Sequence, residues 1–228
     1  MKDILKKYDK IISLGFNCYI KRFMEEQGIK QETNLFDYIG TPMWGVNELI
    51  ENDFTELTSI DDFEKMNISS KEPEHIFTNK KYYFRFKHDN LIAITGTNKV
   101  NINSFSKLKS TLERRIQRFN SMLSCPKKIL FIRLEQDNTN RIVYEEYKEK
   151  DKIPELEYVI SFSKIIKNKY PLINFDILFI SKTNENKYDT ENNILIIKNT
   201  QNIVWKTCQT QLQKICKHNI DFIKKSLI

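Results

Sequence analysis

The chain carries four cysteines and three histidines, so its scarce reactive side chains can be weighed one at a time. Cys18 follows the apolar run Ile11-Ile12-Ser13-Leu14 and the turn residue Gly15. That order predicts a thiol just past the end of a buried strand, in the first turn of the next helix. Unpaired backbone N–H groups and the helix dipole at such a place favour a thiolate and can hold an oxyanion during acyl transfer. A small cysteine that merely closes the turn has the same spacing. His88 is the best of the three candidate bases because Asp89 stands beside it, which allows a Cys–His pair whose imidazole is oriented by a carboxylate. Lys87-His88-Asp89-Asn90 also reads as an ordinary hairpin turn. His75 precedes a strand-like run and His218 sits among lysines, so both read as structural or solvated.

A second constellation concerns anions. Arg114 and Arg118 are spaced i, i+4 and share one helix face, where two guanidinium forks could clamp a phosphate or carboxylate, or simply pair with nearby acids. Arg133 closes an apolar strand at the sheet edge where ligands collect, and the strand-end turn with Ser13 and Gly15 is a further anion-binding candidate. Asp37, flanked by Phe36 and Tyr38, is expected to be at least half-buried and therefore paired; it could orient His88 or cap the following helix. Lysine and arginine number 37 against 30 acidic residues, giving a net charge of +7. That balance suits an anionic or phosphorylated substrate, but the acids are interspersed, so nucleic acid is not the expected partner. No CxxC pair, Walker A pattern or GxGxxG follows the first strand, so no zinc site, P-loop or dinucleotide cofactor is expected. No signal-peptide core and no uninterrupted apolar stretch of membrane-spanning length occurs, and the chain reads as cytoplasmic.

Elements of two periods must position these groups. Helical spacing predicts helices over Asn17–Gln27, with Gly28 beyond its end, from Thr41-Pro42 through Ile50, over Ser104–Leu123, over Pro154–Tyr170 and over Trp205–Ile228. Residues from about Asp53 to Pro73 read as irregular, with a short helix near Asp62–Met66. Alternating runs at Glu74–Thr78, Lys81–Lys87 and Leu91–Thr95 predict an antiparallel meander. Continuous apolar runs at Ile11–Leu14, Ile129–Leu134, Ile177–Ile180 and Ile194–Ile197 predict a parallel sheet covered on both faces. The expectation is one α/β domain over residues 1–228, a three-layer Rossmann-like, mostly parallel sheet, with a β-rich insertion at about 70–100.

Ser13-Leu14-Gly15-x-x-Cys18, Phe36-Asp37-Tyr38, His88-Asp89, Arg114-Arg115-Ile116-x-Arg118-Phe119 and Phe131-Ile132-Arg133 together resemble, in order and spacing, the DUF1796 family, described as papain-like cysteine peptidases. The resemblance spans most of the chain. It implies a Cys18 nucleophile, a His88 base, an acidic third member in Asp89 or Asp37, and Asn17 as an oxyanion donor. The chain departs from the family in having Leu35-Phe36-Asp37-Tyr38 for Pro-Phe-Asp-Trp, and Asn90 where an aromatic usually follows. A papain-like α+β fold is the alternative architecture, with the cysteine on a helix and the histidine on an antiparallel sheet. Three functions follow: a thiol-dependent hydrolase or acyl transferase, a Rossmann-like transferase acting on a phosphorylated or nucleotide-linked sugar in surface-glycan synthesis, and a non-catalytic binding protein.

Overall fold

The computed structural model describes residues 2–16, 18–29, 32–65, 76–87, 89–135, 147–199 and 208–227. From the amino terminus come α1 (Lys2–Leu5), β1 (Lys10–Ser13), α2 (Tyr19–Glu26), β2 (Ile39–Gly40) and α3 (Met43–Glu51). The middle of the chain holds β3 (Phe63–Lys65), β4 (Phe77–Asn79), β5 (Phe84–Phe86) and the long α4 (Ile102–Leu123). After these run β6 (Lys128–Leu134), α5 (Lys148–Lys152), α6 (Glu155–Lys169), β7 (Asn174–Ser181), β8 (Lys187–Asp189), β9 (Ile194–Lys198), α7 (Cys208–His218) and α8 (Ile220–Ser226).

Sheet A has the order β1-β6-β7-β9-β8, its first four strands parallel and β8 antiparallel at the edge. Strand side chains alternate between faces, and the alternation sorts the core into two layers. Ile129 and Phe131 of β6 pack with Val46 and Leu49 of α3, Leu108 and Phe119 of α4, and Phe162 of α6. Leu130, Ile132 and Leu134 of the same strand pack with Leu5 of α1, Phe23 of α2, Ile215 of α7 and Ile223 of α8. Each face of the sheet is thus buried under helices, which explains why its strands read as unbroken apolar runs. β7 and β9 are joined through β8 rather than through a helix, so the strand–helix alternation stops short of the last pair. Among the described residues no helix is long and apolar enough to cross a membrane.

Sheet B is antiparallel, in the order β2-β5-β4-β3. It contains the expected hairpin, but it also draws strands from outside the 70–100 segment, at Ile39–Gly40 and Phe63–Lys65. The run Leu91–Thr95 does not form a strand; it contributes one isolated bridge, Ala93 to Val100. The short helix expected near Asp62–Met66 is corrected to a 3-10 turn over Ile60–Asp62 followed by β3. Tertiary packing decides that segment: Phe63 meets the rings of Phe86 and Phe105 at 5.2 and 4.9 Å. The helix expected to start at Thr41 is instead capped by Pro42, because the Thr41 hydroxyl is engaged elsewhere. Asn219, whose Nδ2 donates to the Ile215 carbonyl at 2.9 Å, divides the expected final helix into α7 and α8. Trp205 and His75 lie outside the described residues.

Candidate active site

The strand–turn–helix around Cys18 forms as its residues dictate. β1 ends at Ser13, Gly15 turns the chain with φ +80°, and Phe16 continues in the left-handed region at φ 76°. Such a backbone angle is unfavourable for a phenylalanine and needs support. Thr41 supplies it: its Oγ1 accepts from the Phe16 N–H at 3.0 Å and donates to the Leu14 carbonyl at 3.0 Å. A Cβ on residue 15 would fall 1.9 Å from that oxygen, so only glycine admits the contact. The Ser13 hydroxyl is buried and accepts from the Gly15 N–H at 3.1 Å. Cys18 then caps α2, its carbonyl accepting from the Arg22 N–H at 3.1 Å. The thiol is reduced and buried, 4% exposed, at the carboxyl end of β1. Asn17 and His88, candidates from the sequence, lie outside the described residues.

Arg133 is wholly buried, and its guanidinium clamps this turn to two other segments. Nη1 donates to the Leu14 carbonyl at 2.8 Å and to Thr41 Oγ1 at 3.3 Å, Nη2 to the Thr41 carbonyl at 3.0 Å, and Nε to Glu155 at 2.5 Å. Glu155 opens α6, where a carboxylate also favours the helix dipole. Below the clamp, a cavity of about 340 Å³ lies between the starts of α3 and α6, lined by Trp44, Glu135, Glu155 and Thr183 among others. The Glu135 carboxylate is held there by Ser181 Oγ at 2.8 Å, the Lys182 N–H at 2.5 Å and Thr183 Oγ1 at 2.9 Å.

Asp37 is wholly buried. Its Oδ2 accepts from the Asn34 N–H at 2.8 Å and faces Lys21 Nζ at 3.5 Å, whereas Oδ1 accepts no hydrogen bond from any described residue. Burial pushes this carboxyl above the usual range, and the Asn34 N–H, Lys21 and Arg115 pull it partly back. Asp37 and Lys21 face each other at 3.5 Å, and Arg115, whose burial lowers its pKa, is acted on electrostatically by both Asp89 and Asp37. Asp37 does not cap α3, whose cap is Pro42.

Lys21 and Arg115 were not among the residues that sequence spacing selects. Lys21 left little signal: it stands beside the stripe Ile20, Phe23, Met24, three positions after Cys18, and the structure shows it 2% exposed. Of the selected arginines, Arg114 is exposed, and Arg118 turns away to bind Glu32 at 3.0 Å and the Thr33 carbonyl at 3.1 Å.

A family model described as "Putative papain-like cysteine peptidase (DUF1796)" matches residues 9–185. No curated protein and no solved structure matches the chain.

Proposed function

The chain belongs to the DUF1796 family, and on that premise we propose that it is a thiol-dependent hydrolase or acyl transferase with Cys18 as nucleophile, built on a Rossmann-like sheet. The observation that carries this reading is the placement of Cys18 as the cap of α2, directly beyond the carboxyl end of a parallel strand. Ligands of open α/β sheets collect at that edge, and a helix start favours a thiolate.

In the proposed cycle His88 takes the proton of the Cys18 thiol, and the sulfur attacks a substrate carbonyl. The carbonyl electron pair moves onto oxygen, held by backbone N–H groups at the start of α2 and by the Asn17 side chain. Collapse breaks the bond to the leaving group, which takes the proton back from His88, and water or another nucleophile then releases the acyl group from sulfur. Asp37 suits the orienting role better than Asp89. It is wholly buried, and its Oδ1 accepts no hydrogen bond from any described residue.

The test is peptide-mapped alkylation of Cys18 by iodoacetamide as a function of pH. A nucleophile of this kind labels with a midpoint below the ordinary thiol value of about 8.5, and His88→Ala moves that midpoint upward. A midpoint at the ordinary value, unchanged in His88→Ala, refutes the assignment. Turnover of activated esters that persists in Cys18→Ala refutes it as well.

A further inference from the structure

Lys10 opens β1 at the end opposite Cys18, and a separate cavity of about 280 Å³ lies there. Its wall includes Lys10, Glu32, Asn34, Arg118, Cys125 and Lys127, drawn from β1, the segment after α2, α4 and the approach to β6. The groups in this wall are overwhelmingly hydrogen-bond donors. Lys10 and Lys127 form no ion pair with any described residue. Arg118 commits Nη1 to Glu32 and to the Thr33 carbonyl, which leaves Nε and Nη2 uncommitted. Asn34 is 97% removed from solvent by its 3% exposure, and its Nδ2 donates to no acceptor. Among the described residues Glu32 is the one carboxylate in the wall, and Arg118 already holds it.

Three cations held around one concavity repel each other, and a buried donor without an acceptor is costly. An anion with several oxygens relieves both, accepting from the two ammonium groups, the guanidinium fork and the carboxamide at once. We propose that this pocket binds a phosphoryl oxyanion, at a site separate from the Cys18 edge and independent of the hydrolase reading. The volume exceeds that of a bare phosphate, so a small phosphate ester also fits, its ester group lying toward Met122 and Cys125. Helical spacing pairs Arg118 with Arg114 on one face; here Arg118 works instead with Lys10, which opens β1, and Lys127, which precedes β6.

Isothermal titration calorimetry at low ionic strength, with inorganic phosphate and with O-phosphoserine, tests the proposal on the full chain. Saturable one-to-one binding is expected, weakened at least about ten-fold in Lys10→Gln/Lys127→Gln. O-phosphoserine binding more tightly identifies an ester as the occupant, and equal affinity identifies the free ion. A second readout needs no variant: Cys125 is exposed at the pocket, so its alkylation, mapped by mass spectrometry, slows under saturating phosphate. Absence of saturable binding to either probe overturns the proposal, as does binding unchanged in the double variant or Cys125 labelling unaffected by saturating phosphate.

Discussion

Gly15→Ala tests the account of the turn that carries Cys18. The new Cβ would lie 1.9 Å from Thr41 Oγ1, a separation no pair of atoms tolerates, so the hydroxyl must leave its place. Its departure strips the acceptor from the partly buried Phe16 N–H and one donor from the Leu14 carbonyl, which keeps Arg133 as its other donor. An orphaned buried N–H costs about 1–3 kcal/mol, and alanine held at a left-handed φ costs about 1 kcal/mol more than glycine. The expected loss is about 3 kcal/mol, read from urea unfolding followed by circular dichroism. A cycle separates the contributions. Thr41→Ala alone costs about 2 kcal/mol, and adding Gly15→Ala to it costs only about 1 kcal/mol more, because the colliding oxygen has gone. A loss below about 1 kcal/mol for Gly15→Ala, or strict additivity of the two substitutions, refutes the reasoning.

Other consequences are open to the same measurements. Arg133→Met removes the guanidinium that donates to Glu155 and to the Thr41 carbonyl, and one of the two donors of the Leu14 carbonyl, and lowers stability by about 3–5 kcal/mol; a change under about 1 kcal/mol contradicts the clamp. For Asp37, whose folded-state carboxyl lies above its unfolded value of 3.8, the folded state binds the proton more tightly. Relative to Asp37→Asn, the wild type is therefore most stable below about pH 4 and loses ground as pH rises through the folded value. Parallel stability–pH curves for the two proteins, or a wild-type advantage that grows with pH, show that desolvation does not dominate. Gly45→Ala drives a Cβ to 2.2 Å from the Tyr82 carbonyl oxygen, so α3 must move off the β4–β5 turn; a loss of about 2 kcal/mol or more is expected, checked by thermal unfolding.

The parallel sheet was readable because burial on both faces leaves an unmistakable record: Ile129 to Leu134 contains a single charged residue, and that residue is Arg133. The helices were readable from their stripes, and Gly28, at φ 76°, ends α2 as its position suggests. Sheet B was harder. β2 has two residues and β3 three, too few for any period to show, and their pairing partners lie far away in sequence. Ion pairing was the least legible property. Spacing on α4 singles out Arg114 and Arg118, yet the arginine whose pKa responds to Asp37 and Asp89 is Arg115. One helix cannot reveal which face its neighbours cover. The burial of Lys21 was similarly hidden, because a lysine on an apolar stripe reads as a snorkelling side chain until its counter-ion is located. Cys18 was found by its place after the strand, but that place alone did not foretell a thiol only 4% exposed.

Because the guanidinium of Arg133 comes from the centre of the polypeptide, an amino-terminal fragment ending before Lys128 would hold Cys18, Asp37, His88 and Asp89 yet keep only the Thr41 hydroxyl to fasten Leu14 to Thr41. Synthesis on the ribosome would thus deliver every candidate reactive group well before the fastening that aligns them. The buried guanidinium would gain its carboxylate partner only once residue 155 has been made and has docked. Proteolysis between those two points would sever the covalent link between the guanidinium and its carboxylate without touching a single candidate reactive group.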